Sequence, residues 1–251
     1  MRAVRRTAAL AALGVLLAAA AGCGTDGPGG PAAAPAASAA AQRYGCLTED
    51  QAAKGSVRIP GGLADTDAYY RDSDTGGARV ALVLAHQNGG SLCDWVPYLD
   101  GFTGAGYAVV PFNGNGDVAD GFAAVTGWLK DKGVTGVVLV GASKGGTGAL
   151  VAGALPAPVP VAAVVSLSAP ESFGGNNAAT AVKRLTVPVL IAAEELDAPF
   201  ADDARSLHAA AASAHKELRI YPGGHHGVPL LDDGALPDVR AFLAAYAPAT
   251  G

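Results

Sequence analysis

The sequence is poor in charge, in aromatic rings and in sulfur. Only 16% of its residues are charged and 6% aromatic, and there are three cysteines and one methionine. The body of the chain has no basic stretch, and the formal net charge is −5, which argues against nucleic acid as a partner. No apolar run has a membrane span's length: the run from Thr7 to Ala21 is too short to cross comfortably. There is no internal repeat. His86, His208 and His215 are scattered and only His225 and His226 adjoin, so no metal-ligand spacing appears, and neither a metal site nor a cofactor is expected. What is abundant is small and apolar: half of the 251 residues are hydrophobic and 35 are glycine. That composition suits one sizeable, well-buried α/β domain with close helix–sheet contacts.

The first 42 residues do not read as part of that domain. Met1 to Arg6 carries three arginines and no acid, and the apolar run to Ala21 follows it. This is the build of an export signal. It ends in Ala20-Ala21-Gly22-Cys23, which resembles the lipobox of bacterial lipoproteins. The resemblance implies a leader over 1–22, a lipid on Cys23 and a protein anchored on the outer face of the cell membrane. An ordinary secretory signal cut near Ala20 or Ala21 is the alternative. Loss of 1–22 leaves 14 basic against 22 acidic residues, a net −8. Residues 23–42 are Gly, Pro, Ala and Ser with almost no charge and read as a flexible tether. With Cys23 lipidated, Cys46 and Cys93 remain as a pair in an oxidising compartment and are expected to form a disulfide.

From residue 43 to 251 the pattern is one folded domain. Residues 44–54 read as irregular, and 57–60 and 68–71 as strands opening a sheet. Apolar, β-branched runs then alternate with helical patterns. Strands are expected over 79–85, 107–111, 137–140, 161–168, 187–193 and 217–221, and helices over 92–103, 121–131, 146–154, 200–213 and 238–246. Such alternation predicts a mostly parallel central sheet with helices on both faces and right-handed crossovers.

One stretch organises the rest. Val137 to Val140 leads into Gly141-Ala142-Ser143-Lys144-Gly145, a G-x-S-x-G sequence between a strand and a helix. A serine held in a sharp strand-to-helix turn is exposed above the sheet, and small flanking residues are needed where a Cβ would collide. Downstream come Asp197 and the pair His225-His226, each just past a strand. Serine, acid, histidine in that order, with HQNGGS after the third strand, GASKGG at the turn, EELDAPF after a late strand and PGGHHG after the last, resembles the α/β-hydrolase superfamily over residues 79–246. The similarity is to its small lidless, dienelactone-hydrolase-like and esterase members.

The chemistry explains these residue types. A serine hydroxyl is a weak nucleophile until a neighbouring base takes its proton. Histidine titrates near neutrality and suits that task. A carboxylate then fixes the imidazole tautomer and stabilises the imidazolium. Ser143, Asp197 and His226 are the candidates, with His225 as the alternate base because the family pattern is histidine followed by glycine. Glu194 and Glu195 read as solvated rim charges, and Asp202 and Asp203 as first-turn helix acids. The tetrahedral intermediate needs two N–H donors. The resemblance implies Lys144, the residue after the nucleophile, and Asn88 in the loop after the third strand, with Gln87 as alternate. The Lys144 side chain reads as solvated and His86 as structural. Trp95, Phe112 and Trp128 fit a core better than a pocket. Residues 169–186 are too few for a cap domain, and 169–177 read as a rim loop.

The resemblance thus implies an exported serine esterase acting through an acyl-enzyme on a small-molecule or lipid-like ester. A cell-envelope acyltransferase or peptidase on the same residues, and a non-catalytic ligand-binding lipoprotein of this fold, are the alternatives. Oligomeric state is left open by the sequence.

Overall fold

The computed structural model describes residues 41–249, apart from 62, 63 and 115. The expectations for the leader over 1–22 and for Cys23, and all but the end of the tether, lie outside the described residues. In chain order the elements are α1 (Glu49–Gly55), β1 (Ser56–Ile59), β2 (Thr66–Tyr69), β3 (Val80–Ala85), α2 (Leu99–Thr103), β4 (Ala108–Phe112), α3 (Val118–Lys130), β5 (Gly136–Ala142), α4 (Lys144–Gly153), β6 (Val161–Leu167), β7 (Ser172–Phe173), β8 (Asn176–Asn177), α5 (Ala178–Ala181), β9 (Val189–Glu194), α6 (Phe200–Ala210), β10 (Lys216–Tyr221) and α7 (Ala235–Tyr246). Short 3₁₀ segments occupy Leu92–Tyr98, Val182–Arg184 and Val228–Leu231.

Eight strands form one sheet in the order β1-β2-β4-β3-β5-β6-β9-β10. β1 with β2 and β2 with β4 are antiparallel, and every later pair is parallel. This is the α/β-hydrolase fold. The central strands are buried on both sides, which is why they read as continuous apolar runs. Alternation within β3 divides the core: Ala81, Val83 and Ala85 face α3, α4 and α6, whereas Leu82 and Leu84 face α2 and α7. Trp95 lies wholly inside the second layer. Phe112 packs edge-on against Phe122 in the first, and Trp128 packs against Tyr70.

The boundaries differ from expectation for identifiable reasons. Residues 49–55 are helical, not irregular, because Thr48 and Gln51 form a reciprocal capping box. The segment after β3 is 3₁₀ before it is α, with Pro97 inside the tighter part. α3 starts at Val118, three residues before the expected start at Gly121, capped by the Asp117 carboxylate. Between β6 and β9 lie only the β7–β8 hairpin, α5 and one 3₁₀ turn, so no cap domain is inserted there. Cys46 and Cys93 are bonded, with S–S 2.00 Å and Cα–Cα 5.7 Å. The bond fastens the start of the domain to the 3₁₀ segment that follows the β3 loop.

Candidate active site

The parallel strands β4, β3, β5, β6, β9 and β10 all point their C-terminal ends to one rim, where ligands bind in such sheets. Ser143 stands there, between the last residue of β5 and the first of α4, at φ 51° and ψ −118°. This left-handed conformation costs a non-glycine residue on the order of 1–3 kcal/mol and persists only where its surroundings enforce it. They do so through close approach. A Cβ on Gly141 would lie 2.0 Å from the Gly145 carbonyl oxygen, and one on Gly145 would lie 2.3 Å from that of Ala85. Neither glycine can be anything larger without moving backbone. Ser143 N–H donates to the Leu167 oxygen at 2.7 Å, tying the turn to β6. The residue is 5% exposed, and its hydroxyl makes no hydrogen bond among the described residues.

The first N–H groups of a helix have no intrahelical acceptor and carry the positive end of its dipole. Lys144 N–H is one of these, directly after Ser143. Across the site, Gln87 to Gly90 form a turn closed by Gly90 N–H to the Gln87 oxygen at 3.1 Å, with Gly89 at φ 76°. Asn88 sits exposed at the tip of this turn and Gln87 is half-buried at its base. Neither spends its backbone N–H on another described residue. The loop is braced from behind. Buried His86 holds the Gln87 oxygen through Nδ1 at 2.7 Å, and its Nε2 accepts from Gly114 N–H at 3.3 Å. That pairing requires a neutral ring protonated on Nδ1, and burial accordingly pushes the His86 pKa down from its ordinary value. The Lys144 side chain is not solvated as expected. It is half-buried, donates from Nζ to the Gly114 oxygen at 3.4 Å, and burial lowers its pKa.

On the other side, His226 and Asp197 meet. His226 Nδ1 donates to both carboxylate oxygens of Asp197, at 2.9 and 3.1 Å. Asp197 is 7% exposed. Phe200, the first residue of α6, packs on the His226 ring with centroids 4.2 Å apart. His225 points elsewhere, toward Asp233 at 2.6 Å, and it is largely exposed. No hydrogen bond joins Ser143 to either histidine among the described residues. Their segments nevertheless lie close: a Cβ on Gly227, the residue after His226, would lie 3.4 Å from the side chain of Ala142, the residue before Ser143.

Two hydrogen bonds that no sequence signal marks, to the side chains of Ser168 and Gln87, hold the His226 loop in place. Ser168, buried at the end of β6 and itself at φ 49°, accepts the Gly227 N–H on its hydroxyl at 3.1 Å. Gln87 accepts the Val228 N–H on its side-chain oxygen at 2.9 Å, so the β3 loop and the histidine loop are joined directly. Of the acids near Asp197, Glu195, Asp202 and Asp203 stand as expected, the last two in the first turn of α6, and Glu194 does not. Glu195 is exposed and pairs with Arg205 at 2.7 Å, and Asp202 pairs with the same guanidinium at 3.0 Å. Glu194 is not a rim charge: β9 continues through it, it is 0% exposed, and it accepts the His225 N–H at 2.6 Å.

No family model and no curated protein matches this chain. Solved structures do match in fold. A dienelactone hydrolase from Anabaena variabilis aligns over 76% of this chain and 96% of its own, with a TM-score of 0.64 at 21% identity. The esterase domain of a Rhodothermus marinus protein aligns over 76% and 98%, with a TM-score of 0.62 at 18% identity. Est1E from Butyrivibrio proteoclasticus aligns over 76% and 99%, at 0.61 and 16%.

Proposed function

We propose that this protein is a serine hydrolase that cleaves carboxylic esters through an acyl-enzyme on Ser143. The observation that carries the reading is the strained backbone of Ser143 at the β5–α4 junction, on the same rim as the hydrogen-bonded His226–Asp197 pair. Strain of this kind is maintained at functional sites, and nothing else among the described residues uses the Ser143 hydroxyl. The fold it shares with a dienelactone hydrolase and an esterase domain supports the same class of chemistry.

In this mechanism His226 Nε2 approaches the Ser143 hydroxyl as substrate binds and takes its proton while Oγ attacks the ester carbonyl carbon. Asp197 keeps the proton of the neutral ring on Nδ1, so that Nε2 is the basic nitrogen, and then stabilises the imidazolium. The carbonyl oxygen gains negative charge and is met by Lys144 N–H and by a second N–H from the β3 loop, from Asn88 or its alternate Gln87. Each donor contributes roughly 3 kcal/mol to the barrier reduction. The intermediate collapses by breaking the bond to the alcohol oxygen, which leaves with the proton from His226. Water, deprotonated by the same imidazole, then hydrolyses the acyl-enzyme. The absence of a cap between β6 and β9 leaves an open rim suited to ester groups carried on larger molecules. The leader sequence and the Cys46–Cys93 bond support an exported enzyme tethered through Cys23.

The test is covalent labelling. A fluorophosphonate is expected to modify the folded protein at Ser143, with p-nitrophenyl acetate turnover lost in Ser143→Ala. Unmodified folded protein, or full turnover in Ser143→Ala, would end the proposal. Added alcohols or amines as competing acceptors separate hydrolysis from acyl transfer.

A further inference from the structure

Beside this site lies a group of side chains that the proposed reaction does not use. Glu194, His225 and Asp233 each offer one ligand atom, and these atoms all lie within 4.8 Å of one another. His225 Nδ1 is 2.6 Å from Asp233 Oδ2 and 3.7 Å from Glu194 Oε2. We infer that these three residues bind a divalent cation of the zinc class.

The buried member carries the argument. Glu194 is fully enclosed, yet it forms no ion pair with a lysine or arginine among the described residues. Among the described residues, its Oε2 accepts only a backbone N–H as a hydrogen bond, and its Oε1 has no partner. A buried carboxylate so poorly compensated is costly unless a cation faces it. Among the described residues, the only side chain within salt-bridge distance of it is the imidazole of His225, which also faces Asp233. One imidazole nitrogen with two carboxylate oxygens is a borderline donor set, suited to zinc more than to the all-oxygen preference of calcium or magnesium. Tetrahedral zinc holds its donors about 3.3 Å apart. The His225–Glu194 spacing is slightly wider and the His225–Asp233 spacing slightly narrower, and Asp233 sits in an exposed turn that can adjust. The exposed faces of His225 and Asp233 leave the fourth position open to water. The sequence did not signal this site because it pairs one histidine with carboxylates 31 and 8 positions away in the chain.

Glu194 lies three residues before Asp197, and His225 directly precedes His226. A cation here would bind the end of β9, the histidine loop and the turn before α7 into one unit. It would not touch the reacting atoms, and the inference stands whether or not the protein is an esterase.

Isothermal titration of the full-length chain, without a histidine tag, against zinc chloride tests it. A saturable one-site isotherm is expected, with a zinc-dependent rise in Tm and no isotherm with magnesium. His225→Ala and Asp233→Asn alter exposed side chains and should keep the fold by circular dichroism while losing both the isotherm and the Tm rise. Glu194→Gln, if folded, should weaken binding in the same direction. No saturable isotherm in the wild type, or one that survives His225→Ala, overturns the inference.

Discussion

Gly145→Ala should disable the proposed reaction without touching any side chain assigned to it. The added methyl would lie 2.3 Å from the Ala85 oxygen, 2.8 Å from the Ala85 carbonyl carbon and 2.9 Å from the His86 oxygen, all of them backbone. Real contacts of this kind stay above 3.0 Å, so the start of α4 and the end of β3 must separate by at least about 0.7 Å. Those two segments carry the two proposed oxyanion donors, Lys144 N–H on one side and the Gln87–Asn88 loop on the other. Misplacing catalytic groups by roughly 1 Å costs on the order of 10²-fold in rate. The same order follows from losing one oxyanion donor. The expected result is therefore a kcat/KM on p-nitrophenyl acetate lower by about two orders of magnitude, with the loss in kcat. Overpacking should also lower stability by roughly 1–3 kcal/mol in urea denaturation. The His226–Asp197 pair lies on other loops, and its Nδ1 proton resonance should be unchanged by NMR. A folded Gly145→Ala protein with activity within a few-fold of wild type would refute the assignment of the donors to these segments.

Gln87→Ala removes the acceptor of the Val228 N–H and leaves that buried donor unpaired, so stability should fall by about 1–3 kcal/mol, with a drop in kcat from the loosened His226 loop. Steady-state kinetics beside a urea curve checks both. Replacing Cys46 and Cys93 by serine frees a chain segment spanning 47 positions, for which loop entropy predicts about 4 kcal/mol of destabilisation at 25 °C. A difference near zero between the variant and wild type would mean the bond constrains little. His86 should titrate below 6.5 by NMR, because burial disfavours its charged form. Its lowered folded-state pKa means the unfolded chain binds the proton more readily. The stability it contributes is therefore complete above pH 6.5 and is lost as pH falls through the folded value.

Much of this architecture is legible in the residues because the physics acting on them is local. The runs in β3 and β5 read as buried strands since burial on both faces leaves no polar alternation to confuse the period. The turn around Ser143 is legible for the same kind of reason: two glycines at fixed spacing mark two places where backbone meets backbone. The histidine followed by glycine is the one that meets Asp197, and Gly227 is where the loop comes against the Ala142 side chain. What was not legible is long-range. The Ser168 and Gln87 side chains act across 59 and 141 positions, and although the loop motif marks the Gln87 backbone, no neighbour in sequence marks either side-chain bond. Glu194 misled because it adjoins an exposed glutamate, and only the extra residue of β9 turns it inward. The missed helix α1 is a different case. Its Thr48–Gln51 capping box was present in the sequence, and polarity alone outweighed it.

The two strained serines define what the rim is built to do. Ser143 and Ser168 follow neighbouring parallel strands, and both adopt positive φ. Each donates its N–H across to the next strand, Ser143 to Leu167 at 2.7 Å and Ser168 to Ala192 at 2.8 Å. The same strand-end geometry therefore occurs twice, one step apart in the sheet. The hydroxyls differ in what they face. That of Ser168 is wholly buried and takes the Gly227 N–H, so its strain serves to anchor the loop bearing His226. That of Ser143 has no partner among the described residues and keeps residual exposure beside the unpaired N–H groups of α4. A reactive hydroxyl must be free to exchange its proton and reach a carbonyl carbon, whereas a supporting one must be saturated and still. Backbone conformation alone would not tell these serines apart. Hydrogen-bond saturation does: among the described residues the Ser168 hydroxyl is committed to the loop it supports, and the Ser143 hydroxyl is the one left free for the proposed attack.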